Sequence, residues 1–182
     1  MTAFSNEEQK EKDGAPKLTE SGIQGFGIEM GSPVKGKTIP LSQVNDEAFA
    51  SAAMGDGLGI IPLEGKIYAP LDGTAEAVFP TGHAVGLVTE EGREILIHIG
   101  IDTVQLEGKG FYAHVEQGDR VKKGDLLIEF DPELIQKEGY DPTVIYILTD
   151  MEQVAKLNVR TNQYVEVMET VMYVEGKEHT NG

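Results

Sequence analysis

Short apolar runs, cut every few residues by glycine, proline or aspartate, constrain this chain more than any other feature. Of its 182 residues, 22 are glycine and 8 are proline. Such punctuation suits short strands joined by turns and leaves little room for long helices. Candidate strands lie at 34–40, 59–62, 66–69, 74–79, 84–89, 94–98, 126–130, 143–148, 163–167 and 171–174. Several alternate apolar and polar residues, and one carries Glu76 mid-strand. Gly92 and Arg93 follow two glutamates and predict a hairpin turn between 84–89 and 94–98. The clearest helix signal has Asp131 as N-cap, Pro132 in the first helical position and a stop at Gly139. Many strands with little helix predict an all-β sandwich or barrel.

A faint repeat supports that expectation. Ser32-Pro-Val-Lys-Gly36 echoes Ala69-Pro-Leu-Asp-Gly73, and a predicted strand adjoins each. Proline is tolerated at a strand start because its missing N–H costs nothing there. A third unit, 116–130, contains Gly-Asp-Arg-Val-Lys-Lys-Gly-Asp, a hairpin-like pattern of barrel-sandwich hybrid folds.

The polar, charged stretch 1–22 is expected to be a flexible tail, with a second tail at 177–182 and one domain, 23–176, between them. At 40% hydrophobic content the chain can bury a real core. Its 31 acidic residues against 15 Lys plus Arg leave a net charge of −16. That balance argues against nucleic acid and anionic membrane surfaces, and suits basic protein partners. Cysteine is absent, so there is neither a disulfide framework nor thiolate chemistry. The N-terminus has no signal-peptide pattern, and no apolar run approaches the roughly 20 residues of a membrane span. A cytoplasmic protein is expected.

Chemistry concentrates in two of the four histidines. His98 ends the apolar run Glu94-Ile-Leu-Ile-His98, and His83 follows Gly82. A neutral imidazole on an apolar strand is a good nucleophile, because its ordinary pKa is about 6.5. The predicted hairpin would set 83 and 98 opposite each other, so that one ring could donate a hydrogen bond to an anion taken up by the other. By itself, His98 would better suit a satisfied core histidine, and it is the pairing with His83 and the surrounding motif that favour chemistry. His114 stands apart, and His179 has polar neighbours.

His98-Ile-Gly-Ile-Asp-Thr-Val-Gln-Leu-Glu-Gly108 resembles the phosphorylation-site signature of the glucose-type enzyme IIA family of the bacterial phosphoenolpyruvate-dependent sugar phosphotransferase system. The likeness continues, in order, through 55–57, 69–73, Thr81-Gly-His83-Ala84 and 116–125, and covers roughly residues 25 to 175. It implies an antiparallel β-sandwich of the barrel-sandwich hybrid kind with short helical segments. It also implies a phosphocarrier that accepts a phosphoryl group from HPr on His98 Nε2. The acceptor would be a cysteine in the EIIB domain of a sugar permease, on another polypeptide because no B or C domain is present here. His83 matches the residue that stabilises the phosphate, and Thr81 the residue that orients His83. Asp102 and Asp46 match acidic partner-docking positions, although Asp102 also suits a helix cap before Thr103. Phe49, Met54, Phe79 and Leu96 match apolar positions around the active histidine, and each is equally suited to plain core. Leu96, Val88 and Gln105 depart from commoner residues of the family, which bears on the choice of partner. No cofactor is expected. Zinc would bind His83 and His98 only if a partner supplied a carboxylate. Family members also regulate other transporters and enzymes through their phosphorylation state.

Three other readings compete. A zinc cell-wall endopeptidase would need an upstream His-x3-Asp and a downstream His-x-His, and both are missing. A swinging-arm carrier would need a suitably flanked lysine at an exposed turn, and Lys66 and Lys109 lack those flanks. A regulatory module that keeps the fold without transfer is opposed by the intact histidine pair.

Overall fold

The computed structural model describes residues 27–178. The predicted tail 1–22, and residues 179–182 with His179, lie outside the described residues. The strands are β1 (Gly27–Gly31), β2 (Gly36–Pro40), β3 (Asp56–Pro62), β4 (Lys66–Tyr68), β5 (Gly73–Val78), β6 (Ala84–Thr89) and β7 (Glu94–Ile99). They continue with β8 (Phe111–Ala113), β9 (Arg120–Val121), β10 (Leu126–Phe130), β11 (Val144–Leu148), β12 (Val154–Val159), β13 (Tyr164–Val165) and β14 (Thr170–Gly176). Two short α-helices join them, α1 (Glu47–Ala50) and α2 (Pro132–Lys137). Asp131 caps α2 by accepting from Leu134 N, as expected. Not foreseen were α1, β1, β8, β9 and β12, which are short, exposed in part or weakly patterned.

Every strand pairing is antiparallel. The main sheet has eight strands in the order β9-β5-β6-β7-β11-β3-β2-β13, and two three-stranded sheets run β4-β10-β8 and β12-β14-β1. None closes into a barrel. The main sheet ends at both edges in two-residue strands, which leaves little unpaired edge to template aggregation.

The order is symmetric about the β7–β11 pair, and the sequence repeat is its trace. Gly36 pairs with Val165, and Gly73 pairs with Val121. Ser32 N donates to Glu169 O and Met168 N to Ser32 O; Ala69 N donates to Asp125 O and Gly124 N to Ala69 O. The turn at 165–169 is therefore the partner of the turn at 121–125. In each turn the acidic side chain accepts from a backbone N–H three residues earlier, Glu169 from Glu166 and Asp125 from Lys122.

One face of the main sheet carries the large core. Leu58, Ile60, Val85, Ile95, Ile97 and Tyr146 pack there with Ile67, Leu127 and Ile128 of one small sheet and Met172 and Val174 of the other. Each fully buried side chain of this size contributes roughly 1.5–3 kcal/mol. The opposite face carries a smaller core of Leu41, Val44, Phe49, Ile101, Ile145 and Ile147, with Ile39 and Leu96 half-buried beside it. Strand β11 is buried along its whole length, which explains its unbroken apolar sequence.

Candidate functional site

His98 lies on the smaller-core face of β7. Its register neighbours form a row across the sheet: Ala84 on β6, then Ile145 on β11, Gly59 on β3 and Ile39 on β2. Two members of that row are small, and this leaves room above the sheet. A Cβ on Gly59 would come within 2.9 Å of Val44 Cγ2, so the connection between β2 and β3 rests directly on the backbone there.

That connection supplies one wall. Asp46 caps α1, its side chain accepting from Ala48 N at 2.9 Å and Phe49 N at 3.3 Å. The cap turns Phe49 inward, where its ring lies 5.1 Å from the His98 ring and only 6% of it is exposed. Phe49 thus supports His98 from within the smaller core and offers a partner little surface.

The connection between β5 and β6 supplies the other wall. Gly82, at φ +78°, turns the chain so that His83 enters before β6 begins. Register corrects one expectation: Ala84, not His83, pairs with His98, while His83 O accepts from Ile99 N. Alternation along a regular strand would put residues 83 and 84 on opposite faces. His83 escapes it because it sits in the bend outside the strand. The two imidazoles meet edge to face, 5.0 Å apart at 83°. Phe79 and Phe111 also lie edge-on to His83, at 5.3 and 6.4 Å. Phe111 carried no distinguishing signal in the sequence beyond an aromatic following Gly110.

The ring nitrogens are distinguishable by their partners. His98 Nδ1–H donates to Gly100 O at 3.0 Å, which leaves the Nε2 lone pair free. Thr81 Oγ1 lies 2.5 Å from His83 Nδ1. With the hydroxyl donating to Nδ1, the His83 ring proton sits on Nε2. Burial, then the neighbouring His98, lowers His83 to about 4. Burial also lowers His98 below its ordinary value, opposed by the Gly100 carbonyl and the carboxylates of Asp46 and Asp102. Both rings are therefore neutral at pH 7, one able to offer a lone pair and the other an N–H.

The remaining expected residues are arranged less tightly. Asp102 is exposed at φ +61° before the 3-10 turn Thr103–Leu106, and its side chain makes no cap hydrogen bond. Met54 and Phe79 are 48% and 39% exposed, whereas Leu96 is half-buried against the smaller core. His114 belongs elsewhere: it follows β8, and its Nε2 is 3.6 Å from Glu129. Among the described residues no group of three His, Cys, Asp or Glu side chains is placed to hold a metal. Among the described residues no helix is long and apolar enough to cross a membrane.

Comparison with known proteins places the chain in a family. Residues 28–154 match the family model for the phosphoenolpyruvate-dependent sugar phosphotransferase system, EIIA 1. The chain is 50% identical over 137 residues to a PTS system beta-glucoside-specific EIIBCA component of Halalkalibacterium halodurans, covering 75% of this chain and 22% of that protein. It is 48% identical over 125 residues to a PTS system glucose-specific EIICBA component of Staphylococcus saprophyticus, covering 69% of this chain and 18% of that protein. The chain thus spans about a fifth of the length of these relatives. The solved glucose permease IIA from Mycoplasma capricolum superposes with a TM-score of 0.74 at 34% identity, over 81% of this chain and 95% of that one. The chain is therefore an EIIA domain, a phosphotransferase component belonging to the phosphoenolpyruvate-dependent sugar phosphotransferase system EIIA 1 family.

Proposed function

We propose that this domain relays a phosphoryl group through His98 Nε2, from phospho-HPr to the EIIB domain of a sugar permease on the cytoplasmic side of the membrane. The observation that carries this is the free Nε2 of His98, its Nδ1–H tied to Gly100 O, beside the ring of His83. The lone pair attacks phosphorus as the donor's P–N bond breaks and returns its electron pair to the donor imidazole. A cysteine thiolate of EIIB then attacks phosphorus, and the P–N electrons return to Nε2. Such a transfer is mostly positioning and stabilisation of the equatorial oxygens, and needs no cofactor. His83 Nε2–H serves as donor to a phosphoryl oxygen, with Thr81 fixing its tautomer. Asp46 and Asp102 present negative charge towards basic groups of the partners, and exposed Met54 and Phe79 supply apolar contact. A partner carboxylate completing a zinc site with the two imidazoles would add regulation on the same face.

The test is intact-mass spectrometry after mixing with phosphoenolpyruvate, enzyme I and HPr. One acid-labile, alkali-stable phosphoryl adduct is expected, and none in His98→Ala. No adduct with competent donors would overturn the carrier reading and favour a regulatory module of the same fold.

A further inference from the structure

Two structural routes converge on His98 from a single residue pair at the edge of the site. Asn45 Nδ2 donates to Asp141 Oδ2 at 2.9 Å, across 96 positions of sequence. Asp141 Oδ1 is held in turn by Thr143, whose N and Oγ1 donate at 2.9 and 2.6 Å. Burial alone would raise the Asp141 carboxyl, but the hydrogen bonds from Thr143 and Asn45 outweigh it and hold the group below its ordinary value. The carboxylate thus stays charged, and a charged acceptor makes the stronger hydrogen bond.

The first route runs through the connection 41–55. Asn45 immediately precedes Asp46, which caps α1 and turns Phe49 onto His98. The second runs through the backbone. Asp141 O accepts from Ile101 N and Thr143 O from Gly100 N, both at 2.9 Å. Gly100 stands at φ +84°, and a Cβ there would lie 3.0 Å from Asp141 O and 2.4 Å from Thr103 Cγ2. The carbonyl seated this way is the one that accepts from His98 Nδ1–H.

We propose that Asn45 and Asp141 are positioning residues for His98: their hydrogen bond latches the Phe49-bearing connection over the imidazole, while the backbone at Asp141 seats the Gly100 carbonyl that orients it. The inference rests on the proposed carrier role of His98. The Asn45 side chain is exposed and the smaller core lies beneath it, so its removal leaves the fold intact.

The test compares wild type, Asn45→Ala, Asn45→Asp and the reversed pair Asn45→Asp/Asp141→Asn in the full chain. One arm follows the His98 imidazole by NMR titration, with no phosphoryl donor present. The other measures phosphoryl uptake from phospho-HPr. Asn45→Ala should move the His98 midpoint up towards an ordinary imidazole and slow uptake about three- to tenfold, in kcat rather than KM. Asn45→Asp sets two carboxylates together and should cost more. The reversed pair restores one donor to one acceptor, with Thr143 still served, and should return the rate to within about twofold of wild type. An unchanged titration and kcat in Asn45→Ala would overturn the latch, as would a reversed pair no better than Asn45→Asp. A wild-type protein that takes up no phosphoryl group would instead overturn the carrier role, and the titration arm would still decide the latch.

Discussion

The two halves of the main sheet place equivalent connections at the same spot, and fill them differently. In one half, β2 leads to β3 through residues 41–55, which build a capped helical turn and bring an aromatic ring onto His98. In the other, β5 leads to β6 through residues 79–83, a tight turn that brings a second imidazole. The strands they join occupy matching places on either side of the central β7–β11 pair. The symmetric scaffold thus decides where a site forms, and the asymmetric connections decide its chemistry. The long connection packs Phe49 against the His98 ring. The short one sets the His83 ring edge to face with it.

Removing what each connection contributes should give different losses. Phe49→Ala empties the centre of the smaller core and should lower unfolding stability by about 3 kcal/mol, measured by denaturant titration. A loss below about 1 kcal/mol would mean that the 41–55 connection is held by something other than this ring. The short connection should show itself through pH. His83 is lowered to about 4 in the folded chain, against about 6.5 unfolded. Between those values the unfolded chain binds a proton that the folded one does not, so stability falls as pH drops from about 6.5 to about 4. This group accounts for up to about 3 kcal/mol of that fall, at 1.36 kcal/mol per pH unit. His83→Gln should remove most of it, leaving a remnant from His98, which is lowered for the same reason.

The same substitution probes function. His83→Gln should still accept a phosphoryl group on His98, yet pass it on about a hundredfold more slowly, because an amide can donate a hydrogen bond but lacks imidazole's acid–base behaviour. Full sugar-phosphorylation activity in that variant would remove His83 from the mechanism. The smallest effect compares the two equivalent turns. Gly124 stands at φ +93°, and its counterpart Met168 holds φ +73° with a side chain attached. Met168→Gly should stabilise the chain by about 0.5–1 kcal/mol, visible as a raised Tm.

Much of this was legible because it rests on local rules. The turn at Glu90–Arg93, the capped helix after Asp131 and strands such as 84–89 and 126–130 follow from period, punctuation and caps. The repeat was only half legible. The turn at 121–125 carries Gly124 and Asp125, whereas 165–169 carries Met168 and Glu169 in those places, which hides a turn of the same hydrogen bonding. Helix α1 escaped notice because four residues carry too little periodicity to read. The docking expectation for Asp46 and Phe49 came from resemblance, and only the fold shows that one caps a turn while the other is buried against His98.

By itself the sequence determined an all-β chain, its principal turns, and two histidines flanking a hairpin. Those are decided within a few residues by backbone preference and apolar alternation. Tertiary structure decided that the hairpin register pairs His98 with Ala84, that a positive-φ turn at Gly82 still swings His83 onto it, that the Gly100 carbonyl fixes the His98 tautomer, and that Thr81 meets His83 Nδ1. It also decided that Asn45 and Asp141 meet. Such contacts join residues far apart in the chain, and no local preference specifies them. They form because closing the sheet about β7 and β11 buries enough apolar surface to bring them together.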